Sequence, residues 1–465
     1  MSVRFYNTLS RQIEDFSPRE EGKVKMYTCG PTVYDRAHIG NFRTFLFADL
    51  LRRYLKYRGY DVYSVMNITD VDDRIIRGAN SEHTELRTYT DPWIQKFFND
   101  LNLLGIEPAD LYPRASDHIP DMVNLVKKLA ERGHAYKVDG DYYFKVESMP
   151  AYGEFARLDM SALRVGERVQ DDKYEKEDIR DFALWKGYCE EDGNIFWDTD
   201  IGRGRPGWHI ECSAMSLKYL GEDFDIHAGG VDLVFPHHQN EIAQSESATG
   251  KRLARFWMHG EFLLVDGAKM SKSLGNFYTL QDLMDRGWKP REIRYALMAG
   301  HYRQQLNFTF TGMEAARAAL ERIDCCLQNL RCAHGGHGPS ETAAALKEHE
   351  AAFTAAMDDD LNFPLALASI FNLIRDLNIL CTENKIGTTE ATMILDTLKR
   401  LDSVLGFLHI DKAQETDSEI DSLVCARDEA RRTKNWAEAD RIRKLLSDMS
   451  IVVEDRTGGS VWRRK

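Results

Sequence analysis

The sequence predicts an α/β protein: a Rossmann-like parallel-sheet domain split by an insertion, followed by C-terminal α-helical domains. Three observations carry this. A strand–helix–strand run opens the chain, the strand pattern resumes near residue 224 after a mixed, loop-rich stretch, and from about residue 310 the chain is helical and Ala/Leu-rich. A length of 465 residues accommodates about three domains of ordinary size.

The elements follow in order. Val24 to Thr28 reads as a short buried strand, with Cys29-Gly30-Pro31-Thr32 as the turn after it. A helix runs from about Gly40 to Tyr57, because Phe42, Phe45, Leu46, Leu50 and Tyr54 recur at helical spacing and Gly59 closes it. Asp61 to Thr69 is the second strand. Such a βαβ unit implies parallel strands and a right-handed crossover. Ligands of such sheets bind at the carboxyl ends of the strands, where Cys29, His38 and Asn67 to Asp70 fall. Residues 91–135 read as helical, and 140–200 as mixed, with an acidic run over 171–181. Phe224 to His227 resumes the sheet, and Phe262 to Val265 leads into an Asp266-Gly267 turn. Residues 333–342 and 411–418 look like linkers around three or four amphipathic helices. Asn435 and Glu438 have capping-box spacing before a last helix over Trp436 to Leu446.

Composition narrows the class. With 43% hydrophobic and 29% charged residues the chain is ordinary for a globular protein. No run of 18 apolar residues occurs, which argues against a membrane-spanning helix. Residues 1–21 lack an apolar signal region, and eight scattered cysteines do not make a disulfide scaffold, so a reducing cytoplasm is expected. A net charge of −13 argues against indiscriminate nucleic-acid binding. Residues 427–465 nevertheless hold 11 Lys/Arg against 7 acids, which points to a polyanion at the tail.

Two short elements carry chemistry. His38-Ile39-Gly40-Asn41 sits between strand and helix, where free N–H groups and the helix dipole favour a phosphate. Gly40 lets a ligand approach, and His38 offers a donor; equally, His38 and Asn41 suit a helix cap. Lys269-Met270-Ser271-Lys272-Ser273 follows the second tight turn. Its lysines suit a leaving pyrophosphate, and its bland reading is a solvated loop. The two elements occur in this order about 230 residues apart, which makes chance a poor explanation.

Together they resemble the two signatures of class I aminoacyl-tRNA synthetases, HIGH and KMSKS. Tyr27 to Asp35 (YTCGPTVYD), Pro206 to Ser213 (PGWHIECS) and Phe235 to Glu241 (FPHHQNE) resemble the cysteinyl-tRNA synthetase family nearly end to end, through the Trp462-Arg463-Arg464 tail. Spacing alone puts His237 and Glu241 on one helix face, with Pro236 at its first position and His238 also in reach of Glu241. It leaves a surface pair, or Cys29 and Cys212 as core residues, open. The resemblance implies one Zn²⁺ per chain on Cys29, Cys212, His237 and Glu241. Zinc–thiolate bonding would separate cysteine from serine and alanine, which apolar pockets resolve by only ~1–3 kcal/mol.

The resemblance further implies catalytic roles for His38, Asn41, Lys269 and Lys272, ATP contacts at Gly40, Gly230 and Asp232, and a cysteine pocket at Thr69, Trp208 and His227. It implies Mg²⁺ with ATP, tRNA(Cys) as acceptor, and tRNA contacts at Arg427, Arg431, Trp436, Asp440, Asp455 and Trp462. The residues themselves leave Trp436 and Trp462 open as either base-stacking rings or core. The domains expected are a catalytic domain at 1–120 and 196–300, an insertion at 121–195, a tRNA-stem contact region at 301–340, a helical bundle at 341–410 and an anticodon-binding domain at 416–465. A monomer without membrane or protein partner is expected. Asn41 departs from the class I signature, which ends in His, and the 174–181 stretch departs from the sequence the family resemblance implies there. The runner-up is a cysteine ligase of the mycothiol pathway acylating an aminosugar; the tail beyond residue 410 argues against it. A degenerate, non-catalytic relative is the third reading, and the intact Lys269–Ser273 element argues against that.

Overall fold

A computed structural model describes residues 2–158, 180–331, 333, 340–383, 385–410, 418–455 and 460–464. The acidic run over 171–179 and most of the linker-like stretches 333–342 and 411–418 lie outside the described residues. The chain divides into two compact units, Met1–Leu408 and His409–Lys465.

In the first unit, β1 (Arg4–Asn7) and β2 (Gln12–Asp15) pair antiparallel. The βαβ unit is β3 (Lys23–Thr28), α1 (Ile39–Tyr57) and β4 (Asp61–Met66). β3 and β4 run parallel, from Lys23 opposite Asp61 to Thr28 opposite Met66. The apolar stripe of α1 is buried, as its spacing required. β4 stops three residues before the expected Thr69. Asn67 and Thr69 turn away to bond the turn after β3: Gly30 N donates to Asn67 Oδ1 at 2.8 Å, and Thr69 N to Pro31 O at 3.0 Å.

The stretch read as helical, 91–135, falls in α3 (Leu86–Leu103) and α4 (Ile119–Glu131), preceded by α2 (Asp73–Ser81). Between α3 and α4, Leu111 and Arg114 bridge to Val65 and Ile68. The mixed region contains β5 (Ala135–Val138), β6 (Asp141–Phe144), β7 (Phe182–Gly187), β8 (Trp197–Thr199) and β9 (Gly202–Pro206). These make a five-stranded antiparallel sheet in the order β5-β6-β7-β9-β8. α5 (Trp208–Leu220), β10 (Phe224–Gly230), α6 (Gln239–Thr249) and β11 (Ala254–Gly260) then complete the parallel sheet, β11-β10-β3-β4. All seven β10 residues are buried, as expected of a central parallel strand. The chain leaves β3 toward β4 on one side and later adds β10 on the other, which opens a crevice at their carboxyl ends.

β12 (Leu263–Val265) and β13 (Ala268–Lys269) flank the Asp266-Gly267 turn, whose φ values are 49° and 77°. After α7 (Leu280–Asp285) and α8 (Pro290–Met298), β14 (Leu306–Phe308) pairs with β12. α9 (Phe310–Arg331), α10 (Ser340–Asp358), α11 (Phe363–Thr382) and α12 (Thr388–Leu405) form the helical part. α11 is long and apolar enough to cross a membrane by length and composition alone. It buries Ala366, Ile370, Leu373, Ile374 and Leu377, the spaced stripe of a bundle helix, and carries Arg375 and Asp376 within it.

The second unit has α13 (Ser418–Arg432), α14 (Trp436–Asp448) and a hairpin, β15 (Ile451–Glu454) with β16 (Val461–Arg464), which the sequence pattern did not predict. Asn435 caps α14 by accepting from Glu438 N. Ile420, Val424, Ile442, Leu446, Ile451 and Trp462 form its core.

One buried cation ties the nucleotide-type fold to the helices. Arg294 of α8 donates to Asp49 of α1 at 2.7 Å and to the carbonyls of Leu104, Gly105 and Leu405. Replacing Arg294 by Met strands the buried Asp49 with Arg53 as its one remaining guanidinium. Urea unfolding is expected to lose about 3 kcal/mol of stability.

Candidate active site

The site is built where β3 and β10 end. Cys29 N donates to Ala228 O at 3.2 Å, which fixes the first residue past β3. Gly30 must be glycine: a Cβ there would lie 1.7 Å from Asn67 O. That pinch turns the chain while Cys29 stays buried in the sheet crevice.

Three more elements bring side chains to Cys29. Cys212 comes from α5, His237 from the turn before α6, and Glu241 from the first turn of α6. Their ligand atoms all lie within 4.8 Å of one another. Cys29 Sγ is 3.9 Å from Cys212 Sγ and 3.7 Å from Glu241 Oε1, and His237 Nε2 is 3.1 Å from Glu241 Oε1. Phe235 is extended (φ −140°, ψ 132°) and the Phe235–Pro236 bond is cis, and Pro236 follows this kink in a π-helical turn, Val234–His238, that runs into α6 at Gln239.

A second quartet, Cys29, His227, His238 and Glu241, also lies within this reach. His227 Nε2 is 2.9 Å from Glu241 Oε2, and His238 Nε2 is 3.3 Å from Cys29 Sγ. His238 is tied from behind: its Nδ1 is 2.8 Å from His259 Nε2, and His259 Nδ1 is 2.8 Å from Thr8 Oγ1. The Thr8–His259–His238 relay was not legible in the sequence, because Thr8 and His259 are remote from His238 in the chain and neither belongs to a ligand-like spacing.

Burial and mutual charge set the ionisation. Burial pushes the Cys29 thiol well up, and neighbouring Cys212 adds to this. Burial would also raise Cys212, but the hydrogen bond from Cys29 and nearby His237 bring it down to about 6. His237 rises to about 10, since Cys212 and Glu241 outweigh its burial. Glu241 falls to about 2, because His227 and His237 outweigh its desolvation. The group therefore favours one thiolate, one carboxylate and one imidazolium. Two soft thiol donors, an imidazole and a carboxylate also match the donors and size of a zinc site.

Beside this cluster lies the phosphate-type element. His38 caps α1: its Nδ1 accepts from Asn41 N at 3.2 Å, while Asn41 Oδ1 accepts from His38 N at 3.1 Å. Asn41 is thus the reciprocal half of a capping box. Burial, with Lys272 nearby, lowers the His38 imidazole to about 4. It is neutral at neutral pH, and because Nδ1 accepts, its proton sits on Nε2.

The Lys269–Ser273 loop closes over this element. Ile39 N donates to Tyr278 O at 3.0 Å, and a Cβ on Gly40 would meet Met270 Cε at 3.0 Å. Lys272 Nζ is 2.5 Å from Asp35 Oδ2. Lys269 ends β13, with its ammonium 5.8 Å from the Phe262 ring centre.

The remaining expected residues are placed as follows. Trp208 opens α5, 39% exposed, with its ring centre 4.4 Å from that of His237. His227 stacks on Trp257 at 4.4 Å, and Thr69 Oγ1 accepts from Asn67 Nδ2. Gly230 ends β10, and a Cβ there would lie 2.4 Å from Asp232 Oδ1.

In the second unit Trp436 is 58% exposed, but Trp462 is 7% exposed and packs in the core, so its faces are not open to a base. Asp455 is held by Arg427 at 2.6 Å and also by Arg431, and the Arg427 hydrogen bond leads in lowering its carboxyl to about 2. Arg427 is buried, and Asp440 is exposed.

Comparison with known proteins agrees with this architecture. Residues 15–318 match the model of the class I (C) tRNA synthetase catalytic domain, 352–409 a DALR domain, and 413–463 the cysteinyl-tRNA ligase anticodon binding domain. A cysteine–tRNA ligase of Solibacter usitatus is 50% identical, with all of both chains covered. One of Brachyspira hyodysenteriae is 45% identical over 100% of this chain and 99% of its own. Among solved structures, a Mycobacterium tuberculosis methionyl-tRNA synthetase with methionyl-adenylate shares the fold at TM-score 0.58 and 14% identity, covering 83% of this chain and 88% of its own. An Agrobacterium radiobacter LeuRS in a ternary complex does so at TM-score 0.61 and 12% identity, covering 86% of each chain.

Asn41→Ala removes the reciprocal half of the cap. Thermal unfolding is expected to show a loss of about 1 kcal/mol, and an unchanged midpoint would refute the capping role of Asn41.

Proposed function

The chain belongs to the cysteinyl-tRNA synthetase family of class I aminoacyl-tRNA synthetases, and on that premise we propose the following division of labour for its ATP-dependent cysteine–tRNA ligase reaction. One observation carries it: a capped helix N-terminus under a lysine loop, and a buried two-thiol donor set, share the carboxyl ends of β3 and β10.

Cys29, Cys212, His237 and Glu241 hold one zinc ion. This quartet is preferred over the one with His227 and His238 because it has two soft donors and because His237 borders the half-exposed Trp208. Bound there, zinc supplies a soft Lewis acid for the substrate thiolate, which a serine hydroxyl or an alanine methyl cannot match. Thr69, Trp208 and His227 line the cysteine pocket, and Gly230 and Asp232 face the ATP ribose.

ATP enters with Mg²⁺, its phosphates at the α1 N-terminus. The cysteine carboxylate attacks the α-phosphorus in line. The bond to the bridging oxygen breaks, and pyrophosphate leaves. His38 donates from Nε2 to a phosphate oxygen, as its neutral, Nδ1-accepting state supports. Lys272 exchanges Asp35 for the leaving pyrophosphate, with Lys269 beside it. The 3′-terminal adenosine of tRNA(Cys), through its 2′-hydroxyl by family analogy, then attacks the adenylate carbonyl and AMP departs. Exposed Trp436 offers a stacking face to an unpaired anticodon base, with Asp440, Arg431 and the Arg427–Asp455 pair along the same unit. The match of residues 413–463 to an anticodon-binding domain favours tRNA over an aminosugar acceptor. The same reading makes the protein a cytoplasmic monomer.

ATP–pyrophosphate exchange on protein assayed for zinc tests this. Exchange is expected with cysteine and not with serine, at one zinc per chain. Cys212→Ala is expected to lose both zinc and exchange; exchange at full rate without zinc would overturn the zinc assignment. Lys272→Ala is expected to lower exchange kcat about a hundredfold while cysteine binding stays within about twofold; equal losses in both would count against its role.

A further inference from the structure

We propose that Glu211 receives the α-ammonium group of the substrate amino acid. This rests on the cysteine-activating reading above and adds the residue that recognises the amine.

Glu211 is 0% exposed, and neither carboxyl oxygen has a hydrogen-bond partner among the described residues. Few buried polar groups are left so, and a buried carboxylate without a partner is costly. The neighbouring acids are satisfied. Asp70 accepts from Ser116 N at 2.8 Å and Ser116 Oγ at 2.6 Å. Asp72 accepts from Arg74 N at 2.8 Å and Arg74 Nε at 2.9 Å. Burial, with Cys212, Asp70 and Asp72 nearby, pushes the Glu211 carboxyl well up, and the adjacent Thr69 hydroxyl makes no hydrogen bond of good geometry to it. Arg74 is taken up by Asp72, so among the described residues no cation pairs with Glu211 itself, which suits a ligand that brings one.

Its place in the chain fits the substrate. Trp208, Glu211 and Cys212 stand at i, i+3 and i+4 of α5, so they share one flank of its first turns. In cysteine the amine is three bonds from sulfur, a reach of at most about 4 Å. A thiolate held at the Cys29–Cys212 cluster therefore keeps the ammonium close to the residue preceding Cys212. The ammonium carries three donors, which suffice for both unpartnered Glu211 oxygens. No covalent step is involved; Glu211 accepts hydrogen bonds and orients the carboxylate toward the α-phosphorus.

The probe is 3-mercaptopropionate, which is cysteine without its amine. As a competitor of cysteine in exchange by the wild-type enzyme, it is expected to bind about ten- to a hundredfold more weakly than cysteine. Glu211→Gln is expected to weaken cysteine by a similar factor and leave 3-mercaptopropionate unchanged, so the preference for the amine collapses. Zinc content and thermal midpoint report whether the variant keeps its fold. A variant that retains the amine preference, or weakens both ligands alike, would overturn the assignment. If Glu211→Gln does not fold, the wild-type comparison decides, and equal binding of the two thiols overturns it. Absence of cysteine-dependent exchange in the wild type would instead defeat the underlying reading.

Discussion

Two thiols, an imidazole and a carboxylate are closed off from water within 4.8 Å of one another, and much of the catalytic unit serves that arrangement. Such a group cannot carry all its negative charge unaided. On its own it compromises: Cys29 keeps its proton, Cys212 gives one up, and His237 takes one. A divalent cation held by Cys29, Cys212, His237 and Glu241 would take the place of both protons and satisfy all four donors. The backbone sets this up before any side chain does. The pinch of Gly30 against Asn67 and the Cys29–Ala228 hydrogen bond fix one corner, and α5 and α6 deliver the rest.

The nucleotide half is coupled to this half through α1. Its N-terminus carries the His38–Asn41 cap, and one turn on, the buried Arg43 donates to four carbonyls, those of Glu261, Phe262, His301 and Gln304. These carbonyls flank the strands that carry the lysine loop. Farther along, Asp49 anchors the same helix to Arg294 and so to the helical part. A displacement of α1 is therefore felt by both signature elements and by the helices beyond.

Sequence alone located the strongest local signals. The βαβ opening, the start of α1, the cap of α14 and the four donors were legible because each rests on short-range spacing or a long motif. Long-range pairing was not. The antiparallel sheet of β5 to β9 is made of strands three to six residues long, paired out of sequence order. The β15–β16 hairpin hides in the basic tail, where charge dominated the pattern. Trp462 carries the same sequence cue as Trp436, an aromatic among arginines, but β16 turns it into the core. Glu211 and Asp35 lie inside quoted motifs but carried no role there, since what marks them is, among the described residues, a missing partner for Glu211 and Lys272 for Asp35.

X-ray absorption at the zinc edge tests the link between the donor set and substrate choice most directly. Two sulfur neighbours per zinc are expected in the protein alone, from Cys29 and Cys212, and three once cysteine is added. A sulfur count that stays at two with cysteine bound would contradict selection through the thiolate.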